Sequence, residues 1–145
     1  MRLAEIMSSP AATVPPSETV ARAAQRMREE NVHHMVVIEH GEVIGVVSSG
    51  DLEEATDPER PVGERITGPP VIGSPRTPVK DAANLIRGRG IGCIAVVDGH
   101  KLVGVVTIAD LLELLGRGAI RPSPRGERWT LKARGPRKKR QKAVR

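Results

Sequence analysis

Shifted by 59 residues, the chain lies over itself without a gap: residues 3–56 set against 62–115 share 14 identities in 54 positions. The matches include Pro10/Pro69, Pro16/Pro75, Val20/Val79, Ala23-Ala24/Ala82-Ala83, Gly45-Val46-Val47/Gly104-Val105-Val106 and Asp51-Leu52/Asp110-Leu111. A duplication with its turns in register constrains the fold more than any other feature, because both halves must adopt one architecture. Each half is too short to bury a core alone, so the two must pack together, about a pseudo-twofold axis.

Both halves read alike. A short segment (residues 3–7 and 62–66) leads into a Pro-rich extended stretch and then a helix. Ser17 and Thr77 are the expected N-caps, with Pro78 at the first helical position of the second copy. The apolar face of the helix is Val20, Ala23, Ala24 and Met27, repeated as Val79, Ala82, Ala83 and Ile86, at i, i+3, i+4, i+7. Two β-rich runs joined by a tight turn follow, MVVIE-HG-EVIGVVS and IAVVD-GH-KLVGVVT. A second helix is expected to begin at Asp51 and Asp110. The strands are apolar on both faces, which demands cover on both sides of each sheet. The expected fold class is therefore α/β (α+β): two pseudo-symmetric β-α-β-β-α repeats, residues 1–58 and 59–116, packed as one module. With no Phe or Tyr and a single Trp, Trp129, the core must come from Val, Ile, Leu, Met and Ala.

The duplicated element order, EVIGVVSSGDL at 42–52 and KLVGVVTIADL at 101–111, resembles tandem CBS-domain proteins, the CBS pair or Bateman module. NVHHMVVIE and GIGCIAVVD resemble that family's preceding strand. The resemblance covers residues 3–115. It implies a cleft between the repeats for an adenine nucleotide such as AMP, ADP or ATP, bound as a ligand and not as a required cofactor. By position the ribose-binding residues would be Ser48 with Asp51 and Thr107 with Asp110, with His33 and His34 near one cleft. A carboxylate at a helix start suits two vicinal hydroxyls, and the exposed amides there favour a phosphate. The competing role for Ser48-x-x-Asp51 and Thr107-x-x-Asp110 is helix capping alone. The second copy also has Gly92 and Cys93 where the first has His33 and His34.

No catalytic constellation accompanies the motif. There is no P-loop, no nucleophile–base pairing and no carboxylate pair beyond Glu53-Glu54, so the chain is expected not to be an enzyme. Adjacent His33 and His34 on a strand point to opposite faces, which argues against a shared metal ion. Cys93, the single cysteine, excludes an internal disulfide and reads as a small buried residue. MRLAE runs directly into patterned sequence without a signal peptide, and no apolar run approaches the roughly 20 residues of a membrane helix. A cytoplasmic location is expected. Asn and Gln total four, a bias typical of thermophile proteins.

Charge divides the chain sharply. Residues 1–116 hold 11 Lys/Arg and 16 Asp/Glu, net −5; residues 117–145 hold 12 Lys/Arg and one acid, Glu127, net +11. The second segment has no apolar periodicity and several Gly and Pro, the composition of a basic arm for a polyanion. Its cations, Arg117, Arg121, Arg125, Arg128, Lys132, Arg134, Arg137, Lys138, Lys139, Arg140, Lys142 and Arg145, are mostly arginine, which suits bidentate phosphate contacts. Trp129 offers a stacking surface for a base, or alternatively packs the arm onto the body. A CBS pair with such an arm resembles the archaeal CBS-domain ribosome hibernation factors, described as dual ribosomal subunit inhibitors. That resemblance implies rRNA binding by the arm and occlusion of a ribosomal site by the body, tuned by adenine nucleotides. Two other readings stand beside it: a free-standing adenine-nucleotide sensor acting on a partner protein as a homodimer, and a DNA- or chromatin-associated regulator.

Overall fold

A computed structural model of the protein describes residues 1–117. Met1–Glu113 form one compact unit; of a second, Leu114–Arg145, only residues 114–117 are described. The first repeat consists of β1 (Thr13–Val14), α1 (Val20–Glu30), β2 (His34–Glu39), β3 (Glu42–Ser48) and α2 (Ser49–Glu53). The second consists of β4 (Ile72–Gly73), α3 (Val79–Arg89), β5 (Cys93–Asp98), β6 (Lys101–Thr107) and α4 (Ile108–Gly116). The expected β-α-β-β-α order is present twice.

Each repeat has its own three-stranded sheet, with β2 and β5 in the centre. The central strand pairs parallel to the short strand before the helix and antiparallel to its hairpin partner. Even the irregularity is duplicated: the ladder shifts register between Val37 and Ile38, and again between Val96 and Val97. Met35, Val36 and Val37, like Ile94, Ala95 and Val96, are almost wholly buried, as a strand covered on both faces requires. The β2–β3 turn is made by His40 and Gly41, both at positive φ, which matches the right-handed strand twist.

The helices keep their expected faces but not their expected starts. Val20, Ala23 and Met27 are buried in α1, Ala82 and Ile86 in α3. The cap of α1 is Thr19, whose hydroxyl accepts from the Arg22 amide at 3.1 Å, and not Ser17. The chain is still turning at Ser17, with the Glu18 amide donating to the Pro15 carbonyl. In α3 the cap position is held by Pro78 itself, one residue before the helix. The Thr77 hydroxyl is used earlier, accepting from the Ser74 amide at 2.9 Å.

The segments that open the two repeats are exchanged. Leu3, in the 3-10 turn Leu3–Glu5, is buried among Ala82, Ile86, Ile94, Val96 and Val106 of the second repeat. Val62, in the 3-10 turn Val62–Arg65, is buried with Val14, Val20, Met27 and Leu52 of the first. Main-chain bonds fix both crossings. The Leu3 amide donates to the Thr77 carbonyl and the Val79 amide to that of Met1. Reciprocally, the Val62 amide donates to Glu18 and the Val20 amide to Arg60. Each core is thus completed by a residue from the other copy's leading segment.

Candidate functional site

Asp51 and Asp110 sit at the third position of α2 and α4, not at the first. In α2 the cap is Ser48: its hydroxyl accepts from the Asp51 amide at 3.1 Å, while Asp51 Oδ2 accepts from the Ser48 amide at 2.8 Å. This is a capping box with Asp at the position where Glu or Gln is usual. Thr107 and Asp110 repeat it. Asp110 Oδ2 accepts from the Thr107 amide at 2.7 Å, and the Asp110 amide donates to the Thr107 hydroxyl at 3.3 Å. Capping is therefore a real role of both pairs, and it leaves the other carboxylate oxygen, Oδ1, to be accounted for.

There the symmetry breaks. Asp110 Oδ1 accepts from the Ser8 hydroxyl at 2.9 Å. Ser8 is itself clamped to β6, its amide donating to the Val105 carbonyl and its carbonyl accepting from the Val105 amide. Thr67, the residue equivalent to Ser8, makes no such bond; among the described residues Asp51 Oδ1 has no partner. Asp51 instead faces a cavity of about 250 Å³ at the junction of the repeats. Its walls are His34 and Val46 of the first repeat, Ser48 and Asp51, and residues 67–71 and 90–93 of the second.

His34 reaches this cavity because Gly92 lies beneath it: a Cβ at residue 92 would stand 2.7 Å from His34 Nε2. Burial holds the His34 imidazole below its ordinary value; His33 pushes it the same way and Asp51 opposes. His33 faces away from that cavity and lines a second one, of about 410 Å³, with Met27, Leu52 and Glu53. The two histidines, one just before β2 and one at its first position, therefore line different cavities. Cys93 is buried, and burial with the nearby Asp110 charge pushes its thiol up to about 12, so it is a neutral wall of the Asp51 cavity.

A titration consequence follows for His34. The folded protein resists protonating it, whereas the unfolded chain takes the proton below the ordinary value of 6.5. The unfolded state then binds more protons, so stability falls as pH drops through and below that value. His34→Gln should remove this component. Between about pH 7.5 and about pH 5 the melting temperature of the unsubstituted protein should fall more steeply than that of the variant, and parallel curves would contradict this.

The expected site residues thus separate into three groups. Ser48, Asp51 and His34 meet at one cavity; Thr107 and Asp110 meet Ser8; His33 lies elsewhere. Sequence reasoning missed Ser8 and residues 67–71, although the 59-residue offset pairs the hydroxyls Ser8 and Thr67. Of the basic arm, Arg117 is described; Arg121, Arg125, Arg128, Trp129, Lys132, Arg134, Arg137, Lys138, Lys139, Arg140, Lys142 and Arg145 lie outside the described residues. Among the described residues no helix is long and apolar enough to cross a membrane.

Known proteins share this architecture. The chain is 32% identical over 112 residues to the CBS domain-containing protein YhcV of Bacillus subtilis, covering 74% of this chain and 80% of that one. It is 31% identical over 121 residues to an A-adding tRNA nucleotidyltransferase of Geobacter sulfurreducens, but spans 14% of that enzyme's length. Among solved structures, the CBS domain pair of protein MJ0100, in complex with 5′-methylthioadenosine and S-adenosyl-L-methionine, superposes with a TM-score of 0.75 at 25% identity, over 81% of this chain and 97% of that one. The CBS domain protein PAE2072 from Pyrobaculum aerophilum, complexed with AMP, gives 0.71 at 26% identity over 80% and 99%. The model of the CBS domain matches twice, at residues 3–56 and 62–117, and the chain belongs to the CBS-domain family as a tandem pair.

Proposed function

We propose that this CBS pair is a regulatory module, without catalytic activity of its own, that binds one adenosine compound in the Asp51 cavity. The observation that carries the reading is the contrast between the two carboxylates. Asp51 Oδ1 is uncommitted and faces a cavity, whereas Asp110 has both oxygens engaged by Thr107 and Ser8. Asp51 accepts from the ribose hydroxyls, and Ser48 fixes its carboxylate through the capping box. The purine packs among Val46, Pro70, Val71 and Ile91. Similar CBS pairs hold AMP, 5′-methylthioadenosine and S-adenosyl-L-methionine, which supports the ligand class. Because both repeats line the cavity, occupancy favours whichever arrangement of the repeats closes upon the ligand, and that difference is what a partner reads.

Calorimetry with 5′-methylthioadenosine and AMP tests the reading. One ligand per chain is expected. Asp51→Ala should weaken binding about 10- to 100-fold, the scale of lost hydrogen bonds to a charged group. Asp110→Ala should keep the affinity within about threefold, since that carboxylate's work is internal. Equal losses from both substitutions would sink the single-site assignment.

A second reading concerns the arm and is favoured by the charge split: net +11 in residues 117–145 beside an acidic body. Such a segment fits a polyanion, and its arginine excess fits RNA better than duplex DNA. In this reading the arm holds rRNA, the body covers a ribosomal site, and the adenosine ligand biases the interaction; a duplex-DNA partner is the alternative outcome of the same assay.

A further inference from the structure

We infer that the Asp51 cavity selects adenosine compounds lacking a 5′-phosphate, neutral thioethers or sulfonium cations, over AMP, ADP and ATP. The inference rests on the ligand reading above and narrows it. Three observations carry it.

The first is charge. Among the described residues no lysine or arginine lines the cavity, and its ionisable side chains are His34, Asp51 and Cys93. Half-buried His34, whose imidazole is held below its ordinary value of 6.5, and the buried Cys93 thiol are neutral at physiological pH, so the charge left inside is the Asp51 carboxylate. A phosphate dianion would enter beside that charge without a counterion, whereas a sulfonium would be attracted. Arg65 is close in the fold but already engaged: its Nε donates to the Asp51 main-chain carbonyl at 3.0 Å, and its guanidinium lies 3.7 Å from Glu54.

The second is the supply of main-chain donors. Phosphate cradles use unpaired amides at the start of a helix. Here the Ser48 amide is given to Asp51 Oδ2, the Ser49 amide to the His33 carbonyl at 2.8 Å, and the Asp51 amide to the Ser48 hydroxyl, so that of residues 48–51 Gly50 alone has an amide to spare, where a phosphate cradle uses several. α2 is also a helix of only 5 residues, with little dipole to offer.

The third is size. A volume of about 250 Å³ falls just below the roughly 300–1,000 Å³ range of ordinary ligand pockets. That is room for a nucleoside with its 5′ sulfur against Val46 and Ile91; a longer group, a methionyl chain or a polyphosphate, would extend beyond these walls.

The test is calorimetry on the full chain at constant ionic strength with 5′-methylthioadenosine, S-adenosylmethionine, AMP and ATP, with CTP included to measure binding by the basic arm that ignores the base. Beyond the CTP baseline, 5′-methylthioadenosine and S-adenosylmethionine should bind at least about tenfold more tightly than AMP or ATP. Thr67→Arg, which sets a guanidinium at the exposed rim of the cavity, should raise the AMP to 5′-methylthioadenosine affinity ratio by about fivefold or more. AMP or ATP binding as tightly as 5′-methylthioadenosine, with sensitivity to Asp51→Ala, would overturn this inference and leave the ligand site standing. An unchanged ratio in a folded Thr67→Arg protein would overturn it as well. If none of the adenosine compounds binds, the site assignment fails and the selectivity with it.

Discussion

Leu3→Ala should cost the protein about 2–5 kcal/mol, and the loss should register in the second repeat. Leu3 is fully buried, and its neighbours in the core are Ala82, Ile86, Ile94, Val96 and Val106, all at least 79 positions away in the chain. Truncation removes three methyl or methylene carbons' worth of burial and leaves a void between α3 and the β4–β6 sheet that main-chain bonds on either side keep from collapsing. For a domain of ordinary stability, roughly 5–15 kcal/mol, that is a large fraction of the total. Urea denaturation measures the loss, and hydrogen exchange locates it: the amides of β5 and β6 should lose more protection than those of β2 and β3. A cost below about 0.5 kcal/mol would mean that the leading segment decorates the second core without completing it. Val62→Ala tests the reciprocal crossing, with a smaller loss because fewer carbons are removed and with the protection pattern reversed.

That exchange of leading segments marks where the sequence stops being informative. Self-similarity identifies equivalent residues, and hydrophobic period separates helix from strand, so the order of ten elements and the double burial of β2 and β5 could be read directly. Equivalence does not reveal which copy an element packs against. Leu3 and Val62 look alike whether each closes its own core or its twin's. The caps slipped for a related reason: Ser17 and Thr77 are good cap residues, but both stretches spend an extra turn before the helix, leaving Thr19 and Pro78 at the boundary.

At the site, Ser48, Asp51 and His34, all marked by motif position, line one cavity, because spacing within a strand–helix turn is local geometry, while His33 lines another. The inequality of Asp51 and Asp110 was out of reach. It arises from contacts across the chain, Ser8 onto Asp110 over 102 residues and His34 over Gly92, which no local pattern encodes. A 59-residue repeat by itself leads one to expect two equal environments, whereas the two carboxylates are unequally engaged.

Removing residues 117–145 should have the largest effect on any polyanion partner and almost none on the proposed adenosine site. The cut takes away 12 Lys/Arg and one acid, turning a net charge of +6 into −5. If about six to ten of those cations engage phosphates, log K falls with log salt at a slope of roughly −4 to −9, and affinity drops roughly 250-fold to 10⁵-fold between 50 and 200 mM salt. The acidic body left behind would be repelled. Co-sedimentation with ribosomal subunits at moderate salt should therefore disappear in the shortened chain, while calorimetric binding of 5′-methylthioadenosine persists. Unchanged co-sedimentation would assign ribosome contact to the body or to nothing specific. Parallel retention on rRNA and on duplex DNA across a salt series decides the polymer. Equal slopes with equal intercepts would mean that the arm reads phosphate density alone, and a higher RNA intercept at the same slope would be the mark of stacking, for which Trp129 is the chain's single aromatic residue. Trp129→Ala should then lower the RNA intercept without altering the slope, because an indole releases no counterions.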